Sequence, residues 1–247
     1  MTNEDAHLRA KLIETAARAD KQNRTIYSQF LNMAQQSILL GAARECAVPF
    51  TLYGGHEACE RKMAAFGYDI IKEEYPIALV LIEPLSKKFA QELTHRDFLG
   101  SILGLGVKRE TIGDLFVSDK SAYVFCTDVM AAYLCENMVS VSRTDVRCSY
   151  ADEIPESFLP QPTYRAVNVP SARLDALVAG VYNLSRSQAG LLVTQKKVFI
   201  DAMLTENTSK AVNENSIVSV RGYGRFRYLG VEKVTRKDRL RVGVEVY

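Results

Sequence analysis

Between Ser171 and Asp201 the chain reads SARLDALVAGVYNLSRSQAGLLVTQKKVFID, and no other stretch restricts the fold so tightly. The pattern predicts two short helices, a tight turn and then a strand. Ser171, following Pro170, is expected to cap the first helix, with Asp175 in its first turns where the helix dipole favours an anion. Leu174, Leu177, Val178 and Val181 recur at the spacing of one buried helical stripe, and Asn183 ends it. The second helix opens on Ser185-Arg186-Ser187-Gln188, an S-x-x-Q capping box, with Leu184 and Ala189 placed for a hydrophobic staple. Leu192 and Val193 continue its apolar face.

No core explains Arg173, Arg186, Lys196 and Lys197, which fall where two helix starts and a strand start are expected to meet. Helix-terminal N–H groups, dipole and cations of one sign together suit phosphate. Further on, Ile217 to Val220 predicts a strand leading into Arg221-Gly222-Tyr223-Gly224-Arg225-Phe226-Arg227-Tyr228. Arginines interleaved with aromatics offer guanidinium pairing to phosphate and flat surfaces for bases, although Phe226 reads as a core residue. Leu240, Val242, Val244 and Val246 alternate as a half-buried strand, with Arg236-Lys237-Asp238-Arg239 as the turn before it. Residues 161–247 carry 14 basic against 7 acidic side chains, whereas residues 77–160 carry 8 against 12 and residues 1–76 carry 9 against 10. A mildly acidic body with a basic C-terminal third points to a polyanion partner for that third.

The R-L-D…S-R…A…V-x-I spacing resembles the S-four RNA-binding domain, named after a ribosomal small-subunit protein. The resemblance implies that Arg173 and Arg186 face RNA. Together with the residues above, the expected RNA-binding set is Arg173, Ser185, Arg186, Gln188, Lys196, Lys197, Arg221, Tyr223, Arg225 and Arg227. That family usually has glycine before the strand and an Asn-Gly turn after it, where this chain has Lys196 and Asp201-Ala202. A later Gly-Asp pair is replaced by Asn215-Ser216. These departures bear on loop geometry and leave the basic helical face intact.

The predicted fold class is α+β. Residues 1–76 read as mainly helical, with patterns at Leu8, Leu12, Ile13 and at Phe30, Leu31, Ala34, Ile38. A short strand is expected at Phe50 to Tyr53, and a helix from about 57 to 66 stopping at Gly67. Residues 77–150 give the β-α-β-β-α-β order of a ferredoxin-like, RRM-like domain. Phe116 and Phe125 are the candidates for base stacking there, though a core role suits each better. Residues 151–170, with Pro155, Pro160, Pro162 and Pro170, read as an inter-domain linker, and 171–247 as the basic domain.

His95-Arg96-Asp97 mimics the start of a kinase catalytic loop, but Ile102 stands where that motif needs asparagine. Gly104-Leu105-Gly106 is too short for a dinucleotide site. The block HRDFLGSILGLGVKRETIGDLFV, the later Arg-Gly-x-Gly-Arg-Phe and the closing Leu-Arg-Val-x-Val-Glu-Val-Tyr instead resemble the YlmH-like family, bacterial proteins with a C-terminal S-four domain. In that light His95, Arg96, Lys108 and Arg109 form a secondary RNA-facing surface; alternatively His95 and Asp97 cap a helix and the arginine is only solvated. The resemblance implies a non-catalytic protein on the large ribosomal subunit, contacting ribosomal RNA and peptidyl-tRNA, where stalled nascent chains are handled. Two other classes stand beside it. One is an RNA-modifying enzyme related to pseudouridine synthases, which carry an aspartate in an R-L-D context. The other is an adaptor whose first two domains dock a protein partner.

Five cysteines (Cys46, Cys59, Cys126, Cys135, Cys148) without a C-x-x-C pair and three scattered histidines predict reduced, buried thiols and no metal. No cofactor is expected. The charged first twenty residues carry no secretory signal, and the longest apolar run, Ile77 to Ile82, is far too short to span a bilayer; a cytoplasmic location follows.

Overall fold

The computed structural model describes residues 2–88, 90–236 and 238–247. The chain divides into two compact units, Met1–Leu159 and Pro160–Tyr247. Each is α+β.

In the first unit Thr2 and Asp5 close a capping box on helix α1 (Asn3–Gln22), which buries Leu12, Ala16 and Ala19. Asn32 and Gln35 do the same for α2 (Met33–Gly41). Strands β1 (Ile26–Tyr27), β2 (Phe50–Tyr53) and β3 (Met63–Phe66) form a small antiparallel sheet in the order β1-β3-β2. The helix expected over 57–66 is therefore replaced by a loop and β3. All four β3 residues are buried, so the strand shows no alternation to betray it. Gly67, at φ 158°, is extended and not a left-handed cap.

The rest of this unit follows the ferredoxin-like order: β4 (Ile77–Pro84), α3 (His95–Gly104), β5 (Ile112–Ser118), β6 (Ser121–Thr127), α4 (Asp128–Asn137), a short β7 (Ser140–Val141) and β8 (Thr144–Ala151). The sheet runs β5-β6-β4-β8-β7 and is antiparallel throughout. One face packs Val80, Ile82 and Val124 with Phe98, Ile102 and Leu134 of the two helices. On the opposite face Leu79, Phe116 and Phe125 are buried against Cys59, and Phe158 stands edge-on to Tyr123 at 4.7 Å. In RRM-type domains that face carries the stacking aromatics. Here it is closed by the protein's own chain, which removes Phe116 and Phe125 as stacking residues.

A bulge in β5 between Ile112 and Leu115 marks where β5 meets Phe30 and Arg61. A Cβ on Gly113 would lie 2.8 Å from the Phe30 ring and 3.0 Å from the carbonyl oxygen of Phe125. Arg61 donates to the carbonyls of Ile112 (2.9 Å), Phe30 (3.2 Å) and Arg109 (3.2 Å), while its backbone N–H donates to Asp114 Oδ2 at 2.7 Å. Burial, and next the Arg109 cation, push the Arg61 guanidinium down to about 10.

The second unit contains β9 (Thr163–Val169), α5 (Leu174–Tyr182), α6 (Arg186–Thr194), β10 (Val198–Ile200), β11 (Met203–Leu204), β12 (Ile217–Val220), β13 (Gly224–Val234) and β14 (Leu240–Val246). They form one antiparallel sheet, β11-β10-β12-β13-β14-β9, with the helix pair packed on Phe226, Tyr228, Val242 and Val244. Most of the expected linker is thus structured: residues 163–169 are an edge strand paired along β14. Pro160, Pro162 and Pro170 flank this strand and do not interrupt it, as an edge position allows. Of the turn expected at 236–239, Lys237 lies outside the described residues, and Asp238 is left-handed at φ 51°.

Lys196, Asp201, Ala202 and Asn215 adopt positive φ of 60°, 49°, 63° and 67°. These are the positions where the glycine-bearing pattern was replaced, so the backbone geometry persists under different side chains. Asp201 and Ala202 join the pair Ile200–Met203 as a two-residue hairpin turn, and Asp201 Oδ1 accepts from the Ile217 N–H at 2.8 Å. Ala202 has no such compensation from its side chain.

Two substitutions test this packing. Ala202→Gly is expected to stabilise the protein by about 0.5–1 kcal/mol, because glycine removes the left-handed strain at some entropic cost. Gly113→Ala is expected to destabilise it by about 1–3 kcal/mol, since the added methyl overpacks against Phe30. Urea-unfolding midpoints should move in opposite directions for the two variants.

Candidate nucleic-acid interface

Helix α5 begins at Arg173, which occupies the cap position without capping through its side chain; Ser171 does not cap it. The first N–H groups of the helix are taken by a passing loop. Leu174 N donates to the Lys210 carbonyl at 2.9 Å and Asp175 N to the Thr208 carbonyl at 3.1 Å. Those two donors are consequently not free for phosphate, contrary to the expectation from the helix start. What the site offers is side-chain charge.

Its centre is Asp175, only 7% exposed. Arg186, at the first position of α6, donates from Nη2 to Asp175 Oδ2. Arg173 Nε faces Asp175 Oδ1 at 3.6 Å, too far for a hydrogen bond, and its Nη2 donates to Ser209 Oγ. One buried carboxylate thus holds two guanidinium groups from different helices. Their side chains remain 44% and 50% exposed, so they are tethered at the surface and not turned inward. Each guanidinium has five N–H donors in a planar fork, more than these contacts use. The group keeps one net positive charge with both cations fixed in place.

The remaining predicted residues separate into distinct places. Ser185 and Gln188 make the predicted capping box, Ser185 Oγ accepting from Gln188 N at 3.2 Å and Gln188 Oε1 from Ser185 N at 2.9 Å. Their polar atoms serve the helix start more than a ligand. Lys196 pairs with Glu206 at 3.5 Å. Lys197 is half-buried and its carbonyl accepts from Arg221 N at 2.9 Å, which brings Lys197 and exposed Arg221 together beside Tyr223. Tyr223 is 46% exposed and its ring lies 5.4 Å from that of Tyr182. Along β13 Phe226 and Tyr228 enter the core beneath the helices, so Arg225 and Arg227 leave from the opposite face of the sheet. Arg225 stacks over Tyr247 at 4.8 Å, and Arg227 pairs with Glu245 at 3.5 Å. The ten residues do not form one surface, and the face that joins Arg173 to Arg186 excludes Arg225 and Arg227.

The second predicted group also divides. Thr94, not His95, caps α3, and Asp97 completes the box by accepting from Thr94 N at 2.8 Å. His95 and Arg96 lie exposed in the first turn. Partial loss of hydration, and next the Arg109 cation, lower the His95 imidazole from its ordinary value, which favours its neutral form. Lys108 is exposed, but Arg109 donates to the carbonyls of Ile112 (2.5 Å) and Gly113 (3.1 Å). Arg109 is half-buried and belongs structurally to the Arg61–Asp114 cluster.

Sequence reasoning placed Asp175 as an anion for the helix dipole and missed its two partners. The Arg-x-Asp spacing at 173–175 was the available signal. Ser209 gave none, because only the fold brings the 205–212 loop to the start of α5. Among the described residues no group of three or more His, Cys, Asp or Glu side chains could hold a metal ion, and no helix is long and apolar enough to cross a membrane. Cys59 and Cys126 are buried, and burial pushes the Cys126 and Cys148 thiols up to about 12, which keeps them protonated.

Fold and site together define an α+β protein with a ferredoxin-like domain in one unit and a tethered arginine pair in the other. Residues 71–153 match the family model described as the putative RNA-binding domain in YlmH. Over 231 residues, 91% of this chain and 88% of the relative, the sequence is 28% identical to the ribosome-associated protein quality control protein P2 of Bacillus subtilis (strain 168). The fold is similar to that of the cell division protein ylmH from Streptococcus pneumoniae, with a TM-score of 0.53 at 18% identity, covering 61% of this chain and 93% of that one. The likeness to YlmH-like proteins drawn from the sequence blocks is borne out by these matches.

A double-mutant cycle between Asp175→Ala and Arg186→Ala should give a coupling of about 1 kcal/mol in unfolding free energy, modest because the arginine is half-exposed. Additive effects would mean that the ion pair does not hold α5 and α6 together.

Proposed function

We propose that the protein is a non-catalytic, ribosome-associated RNA-binding protein, and that its C-terminal unit is an S-four-type domain. On this reading Arg173 and Arg186 meet the phosphates of folded RNA. The single observation that carries it is the exposed guanidinium pair held by one buried carboxylate. Structured RNA presents phosphates at fixed spacing, and a compact basic helix pair reads that shape without touching base edges. Support comes also from the printed name of the Bacillus subtilis relative, a ribosome-associated quality control protein, and from the RNA-binding family model over 71–153. The finer reading is association with the large subunit and peptidyl-tRNA during the handling of stalled nascent chains, in the cytoplasm, with ribosomal RNA and tRNA as partners.

The enzyme reading assigns Asp175 to catalysis. Its burial and its ties to both arginines suit a structural anion and leave no open face for a substrate.

Removing both arginines would strand a buried carboxylate, so single substitutions are the cleaner test. Arg173→Gln is expected to reduce co-sedimentation with ribosomes several-fold while Arg186 still neutralises Asp175. The slope of log K against log salt should become shallower by roughly 0.7–0.9, the contribution of one phosphate contact. Unchanged pelleting and an unchanged slope would count against this face.

A further inference from the structure

A cleft of ≈ 480 Å³ opens in the C-terminal unit between β9 and α5, alongside the arginine pair. Its walls include Val169, Ala176, Ala179 and Gly180, and its rim carries Asn183, Arg186 and Arg239. The helix is small-sided here, and Gly180 lies so near β9 that a Cβ would sit 2.8 Å from Val169 Cγ1. Two guanidinium groups from separate elements thus reach one cavity. Arg186 is tied to Asp175, and Arg239 donates to the Asn168 carbonyl at 2.8 Å. Both are anchored by part of their donor set.

We propose that this cleft receives one unpaired nucleotide of the bound RNA, its base against the apolar wall and its phosphate between Arg186 and Arg239. The proposal rests on the RNA-binding reading of this unit and adds to it a preference for RNA with an extruded base. Two cations at the rim disfavour an apolar ligand, which would leave their remaining donors unused. A bare phosphate would leave most of the volume unfilled, since cavities of about 300–1,000 Å³ suit whole small molecules. A base stacked inside a duplex cannot enter, whereas an unpaired base can be splayed out and offer its edge to the Asn183 amide.

The test uses the full-length protein with two synthetic RNA hairpins of the same stem, one fully paired and one with a single bulged nucleotide. Adenosine monophosphate serves as a free-nucleotide control. The bulged hairpin should bind about tenfold tighter than the paired one, the worth of one charge-assisted contact. Arg239→Ala should bring that ratio close to one. Asn183→Gly should lower the ratio too; glycine keeps the left-handed backbone (φ 53°) while removing the amide. Equal affinity of the wild-type protein for both hairpins overturns the cleft assignment and leaves the RNA-binding reading standing. Failure to bind either hairpin overturns both. Saturable binding of adenosine monophosphate with no preference between hairpins assigns the cleft to a free nucleotide and overturns its role in RNA recognition.

Discussion

A carboxylate with little solvent around it must find positive partners, and Asp175 finds two. That requirement organises the C-terminal unit. It holds Arg186 of α6 and Arg173 at the start of α5, while the 207–210 loop takes the first helical N–H groups through its carbonyls and meets Arg173 through Ser209. The cost of ordering two long, flexible side chains is met within the folded protein. An incoming polyanion then encounters cations already in position, which is the physical content of preorganisation.

The first unit is organised by a comparable economy of polar groups around Arg61. Its guanidinium donates to the Phe30 carbonyl and to those of Arg109 and Ile112 in one turn, and Arg109 shares the Ile112 carbonyl and adds that of Gly113 in the bulged strand β5. Burial pushes the neighbouring Asp114 carboxyl up, opposed by backbone N–H groups and by both arginines. Arg61 and Arg109 therefore act as internal fasteners. The face of the ferredoxin-like sheet that could have stacked bases is filled by Cys59, Phe158 and their neighbours. A ferredoxin-like order alone would have suggested an open RNA platform; the packing on that face shows why topology is a weak guide to where a ligand binds.

Much of this was legible where one local signal sufficed. The Ser185–Gln188 capping box appears as read, and Leu174, Leu177, Val178 and Val181 are buried as their spacing predicts, although Asp175, Ala176 and Ala179 are buried beside them. Signals failed where the environment is set from a distance. Strand β3 is buried on both faces and so lacks alternation, while β9 hides among prolines that only bracket it. Lys196, Ala202 and Asn215 hold left-handed backbones that their identities do not advertise. Within the site, the two arginines were visible as unexplained charge, but the carboxylate joining them was not. Spacing did carry one further signal: with Phe226 in the core, alternation along β13 sends Arg225 and Arg227 to the opposite face of the sheet.

The central claim is that position, and not merely charge, makes the arginine pair a binding site. Asp175→Asn separates these directly, because it makes the protein more basic by one charge while releasing both guanidinium groups. Ribosome affinity of this variant, measured by co-sedimentation at several salt concentrations, should fall several-fold despite the added positive charge. Affinity that stays the same or rises would show that the carboxylate does not prepare the site, and the account would fail.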